Sequence, residues 1–410
     1  MKVWIKLLAG SVIGVVLGFF LPVENQQVLS TLIWLEKLAL GIGRYVVIPI
    51  LVFSLTIAIY ELRQDGQFWP VVLRNFLLII GISVFVVGMG ILVTLIFPPA
   101  RIPILIEEQL EAISLNVGTS ILEIFPPNML STLTGQGSFI FPACVFAFFL
   151  GMGLSYDRNY TKPVLSLADS LSRIFYHVAS FFSEVLGFII IVLSCYWAVR
   201  FHSALRADVF RDLIILLAVF CIVLGFGIFP LFLYILRPKT NPWWVLYGSL
   251  GPAIAAFFSG DINFALPVLL RHTKENFGVR RRYNALSITL FTTFCRAGSA
   301  MVAAAAFIVI IKSYSSLGIT VMGVLSIGIR AVGISLLLAR YPGDGAYAAL
   351  AVLCMGYGRG FEAGYLILKP LAFYLVAVGT FLDVMICSFA TYAVARISGF
   401  QEENKVVNFI

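Results

Sequence analysis

The sequence predicts an all-α polytopic membrane protein with eight transmembrane helices and two re-entrant helical hairpins, arranged as inverted repeats. Three observations carry that expectation. Of 410 residues, 60% are hydrophobic and 12% charged, against roughly 25% charged in ordinary globular chains. Apolar runs approaching or exceeding the ~20 residues that a membrane helix needs recur along the chain. Beyond residue 240 such runs continue, but Pro, Gly and Asp break them twice in a similar pattern. A soluble enzyme of this length could not bury so much apolar surface, and the mean hydropathy is +1.00. Collagen, disordered and disulfide-stapled classes are excluded too.

The first run follows Lys2 and Lys6. It resembles a signal peptide, but Phe19-Phe20-Leu21-Pro22 is too bulky for a cleavage site, so residues 3–22 are expected to remain as the first helix. Further helices are expected at 32–60, 75–97, 137–155, 180–200 and 210–236. Loop charges orient them. Lys2 and Lys6, Arg63 and Arg74, Arg158 and Lys162, and Arg237 and Lys239 fall on one side. The acidic Glu107, Glu108 and Glu111 fall on the other, with Arg200 and Arg206 as the contrary loop. Cytoplasmic loops carry the Lys and Arg excess, which places the N-terminus in the cytoplasm. The net charge of +8 is read this way, since no basic stripe with interleaved aromatics points to nucleic acid. The six cysteines lie singly in apolar runs and the three histidines are scattered, so no disulfide framework, zinc site or cofactor is expected.

The segment 242–270 is apolar but contains Pro252, Gly260, Asp261, Asn263 and Pro267. Arg237 and Lys239 precede it, and Arg271, Lys274, Arg280, Arg281 and Arg282 follow. Cytoplasmic charge at both ends means that it enters and returns, as a hairpin with its tip near Gly260. Irregular backbone at membrane depth survives only where protein or a water-filled cavity satisfies it. A helix at 284–312 follows, interrupted at Arg296-Ala297-Gly298. A second hairpin at 317–356 breaks at Tyr341-Pro342-Gly343-Asp344-Gly345, and a last helix covers 360–396. Both tips carry Gly-Asp, and Gly298 follows the first at nearly the distance at which Gly379 follows the second. Two hairpin-plus-helix copies of opposite orientation are the inverted-repeat plan of secondary transporters.

These residues resemble the dicarboxylate/amino acid:cation symporter family, which includes the glutamate transporters. The likeness runs over nearly the whole chain: Val47-Ile48-Pro49-Ile50-Leu51-Val52-Phe53-Ser54-Leu55, Pro127-Asn128, Leu266-Pro267-Val268, Pro342-Gly343 with Gly345, and Val394-Ala395-Arg396. The resemblance implies a homotrimer. It implies scaffold helices 1, 2, 4 and 5 within 1–240, with helices 3 and 6 joining a mobile transport core at 241–400, and a cytoplasmic tail at 401–410. It implies elevator-type alternating access in a bacterial inner membrane. The departures bear on chemistry. The family's Asn-Met-Asp-Gly-Thr sodium site corresponds to Cys295-Arg296-Ala297-Gly298-Ser299. Its two sodium-binding carboxylates fall on Val376 and Cys387, its substrate arginine on Gly379, and its substrate asparagine on Asp383. Thr380 is kept.

Ionisable residues within a membrane are costly and commonly functional or paired. Arg296 is therefore the leading candidate, either clamping a substrate carboxylate or replacing an ion's charge, with Asp261 or Asp383 as counter-ion. Asp383 shares a helix face with Thr380 and could bind an ammonium group or carry a proton. The expected site between the tips comprises Ser259, Gly260, Asp261, Asn263, Arg296, Gly343, Asp344, Gly345, Thr380 and Asp383, with a possible ion site near Cys295, Gly298 and Ser299. Arg44 is expected only to snorkel toward an interface. The expected function is secondary active transport, by symport or exchange, of a small organic solute such as an amino acid or carboxylate. Sodium or proton would be the coupling ion and membrane lipid the surroundings. A channel or a non-transporting relative is the alternative. A membrane enzyme using Asp261 and Asp383 as acid and base lacks any accompanying nucleophile or metal cluster.

Overall fold

A computed structural model describes residues 2–21, 26–103, 122–134, 138–205, 208–236, 241–314, 319–358, 360–402 and 409. The acidic loop with Glu107, Glu108 and Glu111, together with Arg206, Arg237, Lys239 and most of the expected tail, lies outside the described residues. Among the described residues the chain is helical, with one isolated bridge between Val279 and Gln401. The helices are α1 Val3–Phe20, α2 Gln26–Arg44, α3 Val47–Gln64, α4 Phe68–Ile96, α5 Phe141–Leu154, α6 Arg158–Leu205, α7 Arg211–Ile222, α8 Phe229–Leu236, α9 Pro242–Ser259, α10 Ile262–Glu275, α11 Arg281–Phe294, α12 Ala297–Tyr314, α13 Val321–Ser335, α14 Gly345–Tyr357 and α15 Ala372–Ile397.

Among the described residues, seven segments are long and apolar enough to cross a membrane: Val3–Phe20, Gln26–Gln64, Phe68–Ile96, Tyr160–His202, Arg211–Ile235, Arg281–Tyr314 and Gly364–Ile397. The expected span at 137–155 is shorter than anticipated. Its helix, α5, has 14 residues, about 21 Å at 1.5 Å per residue, against a ~30 Å hydrocarbon core. Pro142 sits in its first turn, where the missing N–H is harmless, and limits extension backward.

The expected helix at 180–200 is instead the C-terminal part of α6, which has 48 residues. Its earlier half was hidden from a hydropathy reading because it carries Asp169 and Arg173, with Glu184 following inside the expected part. Those charges are paired: Asp169 with Arg281 of α11, and Glu184 with Lys6 of α1 and, at 2.8 Å, with Arg271 of α10. Arg282 of α11 likewise pairs with Asp65 at the end of α3. These pairs stitch α1, α3 and α6 to α10 and α11. The expected helix at 32–60 is also longer and is broken at Tyr45-Val46. Pro49 then falls in the first turn of α3, where a proline costs little. The segment 210–236 is interrupted by a π-helical turn at Val223–Ile228.

Both hairpins form. In the first, α9 and α10 meet at Gly260, which closes α9 in the left-handed region at φ 63°. That conformation strains any residue with a Cβ. Asp261 then caps α10, its carboxylate accepting from the Asn263 N–H at 2.8 Å. In the second, α13 ends in a 3-10 turn at Leu338–Arg340, and α14 begins at Gly345. The seventh helix breaks at Cys295-Arg296, one residue before the stretch singled out from the sequence. A 3-10 segment, Gly364–Leu371, leads into α15. The helix pair α11–α12 and helix α15 are buried almost throughout.

Helix α1 packs along α6 through Gly10, Gly14 and Gly18 at four-residue spacing. A Cβ at Gly14 would strike the Ser194 hydroxyl and the Ile191 carbonyl. Small residues at this spacing let membrane helices approach closely. We expect Gly14→Leu to cost roughly 1–3 kcal/mol or more through overpacking. Gly88→Ala, with nothing within 4 Å of the added carbon, should leave thermal unfolding in detergent unchanged.

Candidate functional site

The break in the seventh helix places Arg296 at the centre of the protein. Its side chain is fully buried, as is that of Asp383 on α15. Arg296 Nε donates to Asp383 Oδ2 at 2.7 Å. The same oxygen accepts from the Ser299 hydroxyl at 2.6 Å, while Oδ1 accepts the Gly298 and Ser299 backbone N–H groups at 2.8 and 3.1 Å. Helix starts leave N–H groups unpaired and carry partial positive charge. Asp383 therefore caps α12 from a neighbouring helix. Four donors from protein fill it. The expectation that Asp383 binds an ammonium group or carries a proton meets a carboxylate that is already fully engaged.

Arg296 also reaches the second tip. Its Nη2 lies 3.4 Å from the Pro342 carbonyl and 3.4 Å from the Ser299 hydroxyl. Gly345 leaves the room it needs, since a Cβ there would strike Nη2. The remaining nitrogen, Nη1, is buried without a hydrogen-bond partner among the described residues.

The two tips meet. The Ile262 N–H donates to the Pro342 carbonyl at 3.3 Å. The fully buried Asp261 carboxylate lies beside Gly343 and pairs with Arg44, the last residue of α2, whose side chain is 24% exposed. The sequence reading gave Arg44 no such role. The available signal was a cation ending an apolar helix, where the macrodipole favours positive charge, just before the Pro49 run.

The other expected residues are distributed as follows. Ser259 accepts from the Asp261 N–H at 3.1 Å. The Thr380 hydroxyl lies 3.1 Å from the Ala256 carbonyl and 2.8 Å from that of Val376, tying α15 to α9. The Asn263 side chain donates to the Ser138 carbonyl at 3.0 Å, in the segment before α5, while its N–H donates to Asp261 at the first tip. Asp344 is exposed at the second tip. The expected ion site near Cys295, Gly298 and Ser299 is filled by the guanidinium and the Asp383 carboxylate. No group of three or more His, Cys, Asp or Glu able to hold a metal occurs among the described residues.

Gly379, where the resemblance would put an arginine, has no space for one. A Cβ there would lie 3.0 Å from Ser299 and 3.1 Å from Ala346. The only guanidinium reaching this centre from the two buried helices comes from the broken one, not from α15. A cavity of 1070 Å³ lies elsewhere, among Val223, Phe226, Tyr234 and Trp243, and is almost wholly apolar; it has none of this chemistry.

Apolar spans, paired broken hairpins and a charged centre at a helix break define a multi-pass membrane transporter. Comparison with known proteins narrows that class. The model of the sodium:dicarboxylate symporter family matches residues 3–397, and the chain belongs to that family, whose members are transporters and not enzymes. It is similar to the proton/sodium-glutamate symport protein of Bacillus subtilis (strain 168), at 25% identity over 194 residues. That match covers 45% of this chain and 44% of the relative.

Removing one partner of a buried ion pair strands the other, at roughly 3–5 kcal/mol. Asp383→Asn should therefore lower thermal stability sharply, and Arg296→Met/Asp383→Asn should recover most of the loss. Unfolding of the purified variants in detergent checks both.

Proposed function

We propose that this protein is a secondary active transporter, working by symport or exchange, for a small organic solute bearing a carboxylate, such as an amino acid or dicarboxylate. The observation that carries this reading is Arg296: a fully buried guanidinium against the second tip, which touches the first, with Nη1 lacking a partner among the described residues. Guanidinium binds carboxylate in a planar, charge-assisted fork. Nε is committed to Asp383, so the solute carboxylate would take Nη1 and compete with Pro342 for Nη2. Loss of the Pro342 contact would loosen the second hairpin, which is how solute binding and gate position become linked.

The motion is an elevator. Hairpins α9–α10 and α13–α14, with α11, α12 and α15, slide against a scaffold that includes α1, α2, α3 and α6. The assembly is a homotrimer in a bacterial inner membrane, with both termini cytoplasmic. Sodium coupling is reduced relative to the family. Small hard cations require oxygen ligands, and the corresponding side chains are Ala297, Val376 and Cys387, all buried. Arg296 supplies a fixed positive charge in their place. A membrane permeability role without alternating access has no feature here that favours it.

Two measurements test this reading. In proteoliposomes preloaded with L-glutamate, L-aspartate, succinate or neutral amino acids, counterflow of the labelled solute should appear for at least one carboxylate. It should persist with choline in place of sodium and vanish in Arg296→Met; collapse without sodium at fixed pH and membrane potential would overturn the coupling claim. Separately, Trp4 of α1 and Tyr247 of α9 stack edge-to-face at 5.1 Å, across the proposed sliding seam. A bifunctional thiol reagent joining Trp4→Cys to Tyr247→Cys should stop uptake. Uptake that survives the cross-link would sink the elevator.

A further inference from the structure

We infer that the apolar groove between the π-helical turn of Arg211–Ile235 and the start of α9 binds one anionic phospholipid, with acyl chains in the groove and the phosphate at the link between α8 and α9. The site shares no residue with the charged centre.

The groove follows from the sequence. Pro230 has no N–H to return to the preceding turn, and a proline ring crowds the carbonyl four residues back. The backbone before it runs as a π-helical turn, Val223–Ile228, a form that recurs at functional sites. Two glycines of that turn face opposite ways. A Cβ on Gly225 would lie 3.4 Å from the Phe381 ring of α15, whereas one on Gly227 would meet nothing within 4 Å. The inner glycine seats the turn on α15, and the outer one leaves a hollow of 1070 Å³. Phe226, Gly227, Leu231 and Tyr234 line one side of it, and Pro242 and Trp243 the other. Packed proteins leave few voids larger than a water.

The surroundings select the occupant. The lining carries no charged side chain, and the segment is long and apolar enough to cross a membrane. Within a bilayer, apolar contact alone does not single out one molecule, since lipid tails are as apolar as the lining. Shape admits an acyl chain, and charge chooses the headgroup. The link between α8 and α9 reads Arg237-Pro238-Lys239-Thr240. Arg237 directly follows the last residue of α8, and Lys239 lies two residues before Asn241, which lines the groove. Two residues of chain span at most about 7 Å, so both cations are tethered to one end of the groove. From residue 213 to residue 260 the chain has no Asp or Glu to offset them. Helix α9 starts at the same end, capped by Asn241, whose side chain accepts the Trp243 N–H at 3.1 Å, and a helix start adds partial positive charge. Tyr234 and Trp243, both exposed, flank this end. Tyr and Trp collect at the headgroup level of a membrane. The loop charges put this end on the cytoplasmic side, where the leaflet is anionic and basic pockets between helices hold anionic headgroups. A lipid seated there bridges α8 and α9, the first arm of the first hairpin.

Tryptophan fluorescence in phosphatidylcholine vesicles reads occupancy, because bromine on an acyl chain quenches a tryptophan that it touches. The share due to Trp243 is the difference between wild type and Trp243→Phe. Brominated phosphatidylglycerol should quench that share at roughly tenfold lower mole fraction than brominated phosphatidylcholine, as two cations beside an anionic headgroup imply. Arg237→Gln/Lys239→Gln should bring the two curves together. Gly227→Phe, whose ring enters open space, should abolish the phase at low mole fraction and leave thermal unfolding unchanged. Equal curves for the two lipids in the wild type overturn the inference and leave ordinary boundary lipid. A phase at low mole fraction that survives Gly227→Phe also overturns it, since the chains then lie outside the groove. So does an absence of quenching by either lipid together with a change of oligomeric size in Gly227→Phe, which would give this face to a second copy of the chain. If Gly227→Phe fails to fold, the double charge variant decides: a phosphatidylglycerol preference that persists in it overturns the inference.

Discussion

A charge pair buried at the break of one helix organises the centre of this protein. Arg296 and Asp383 are both inaccessible to solvent, and neither could be there alone, since an isolated buried charge is far too costly. Their association constrains much else. The seventh helix must stop so that Arg296 can turn inward and the N–H groups of Gly298 and Ser299 can meet the carboxylate. Helix α15 must approach α12 closely enough for Asp383 to act as its cap. That approach needs Gly298 and Gly379 facing each other: a Cβ on Gly298 would lie 2.8 Å from the Gly379 carbonyl. The two glycines that mark the repeat thus face each other at its centre.

The same packing explains why the arginine stands where it does. An arginine at Gly379 would have to displace Ser299 and Ala346. Placed at the helix break, the guanidinium needs only the space that Gly345 leaves free. Moving the cation from one helix to the other changes what it can do. It is held by a carboxylate on one side and faces the second hairpin on the other, so the centre is nearly neutral before any solute arrives. Around it lies a second, separate pair, Asp261 with Arg44, that joins the first hairpin to α2. One pair joins the broken helix to α15, and the other joins the first helix–turn–helix unit to α2.

Much of this was legible in the chain. The apolar runs and the Gly-Asp dipeptides located the helix breaks near Gly260, Arg296 and Gly343, because helix length and the cost of unsatisfied backbone leave few alternatives in lipid. Arg296, Asp261 and Asp383 stood out because charges inside apolar runs are expensive. Other features were not legible. The full length of α6 was masked by Asp169 and Arg173; Asp169 pairs with Arg281, more than a hundred residues away in sequence. Arg44 read as an interfacial side chain because its counter-ion lies more than two hundred residues downstream. The Asn263 side chain's bond to the Ser138 carbonyl, from a residue 125 positions earlier, was not legible either.

The sequence by itself determined the class of protein, the backbone interruptions beyond residue 240, and which side chains must be neutralised in the interior. These follow from local quantities: hydropathy, helix-breaking residues and the charge of single side chains. Only the tertiary structure decided which charges neutralise which. Asp383, and not Asp261, holds Arg296; Arg44 holds Asp261; and one guanidinium nitrogen remains over. Pairing depends on the distances between helices brought together from opposite ends of the chain, and Coulomb energy in a medium of low polarity falls with those distances. No local pattern in the sequence encodes them.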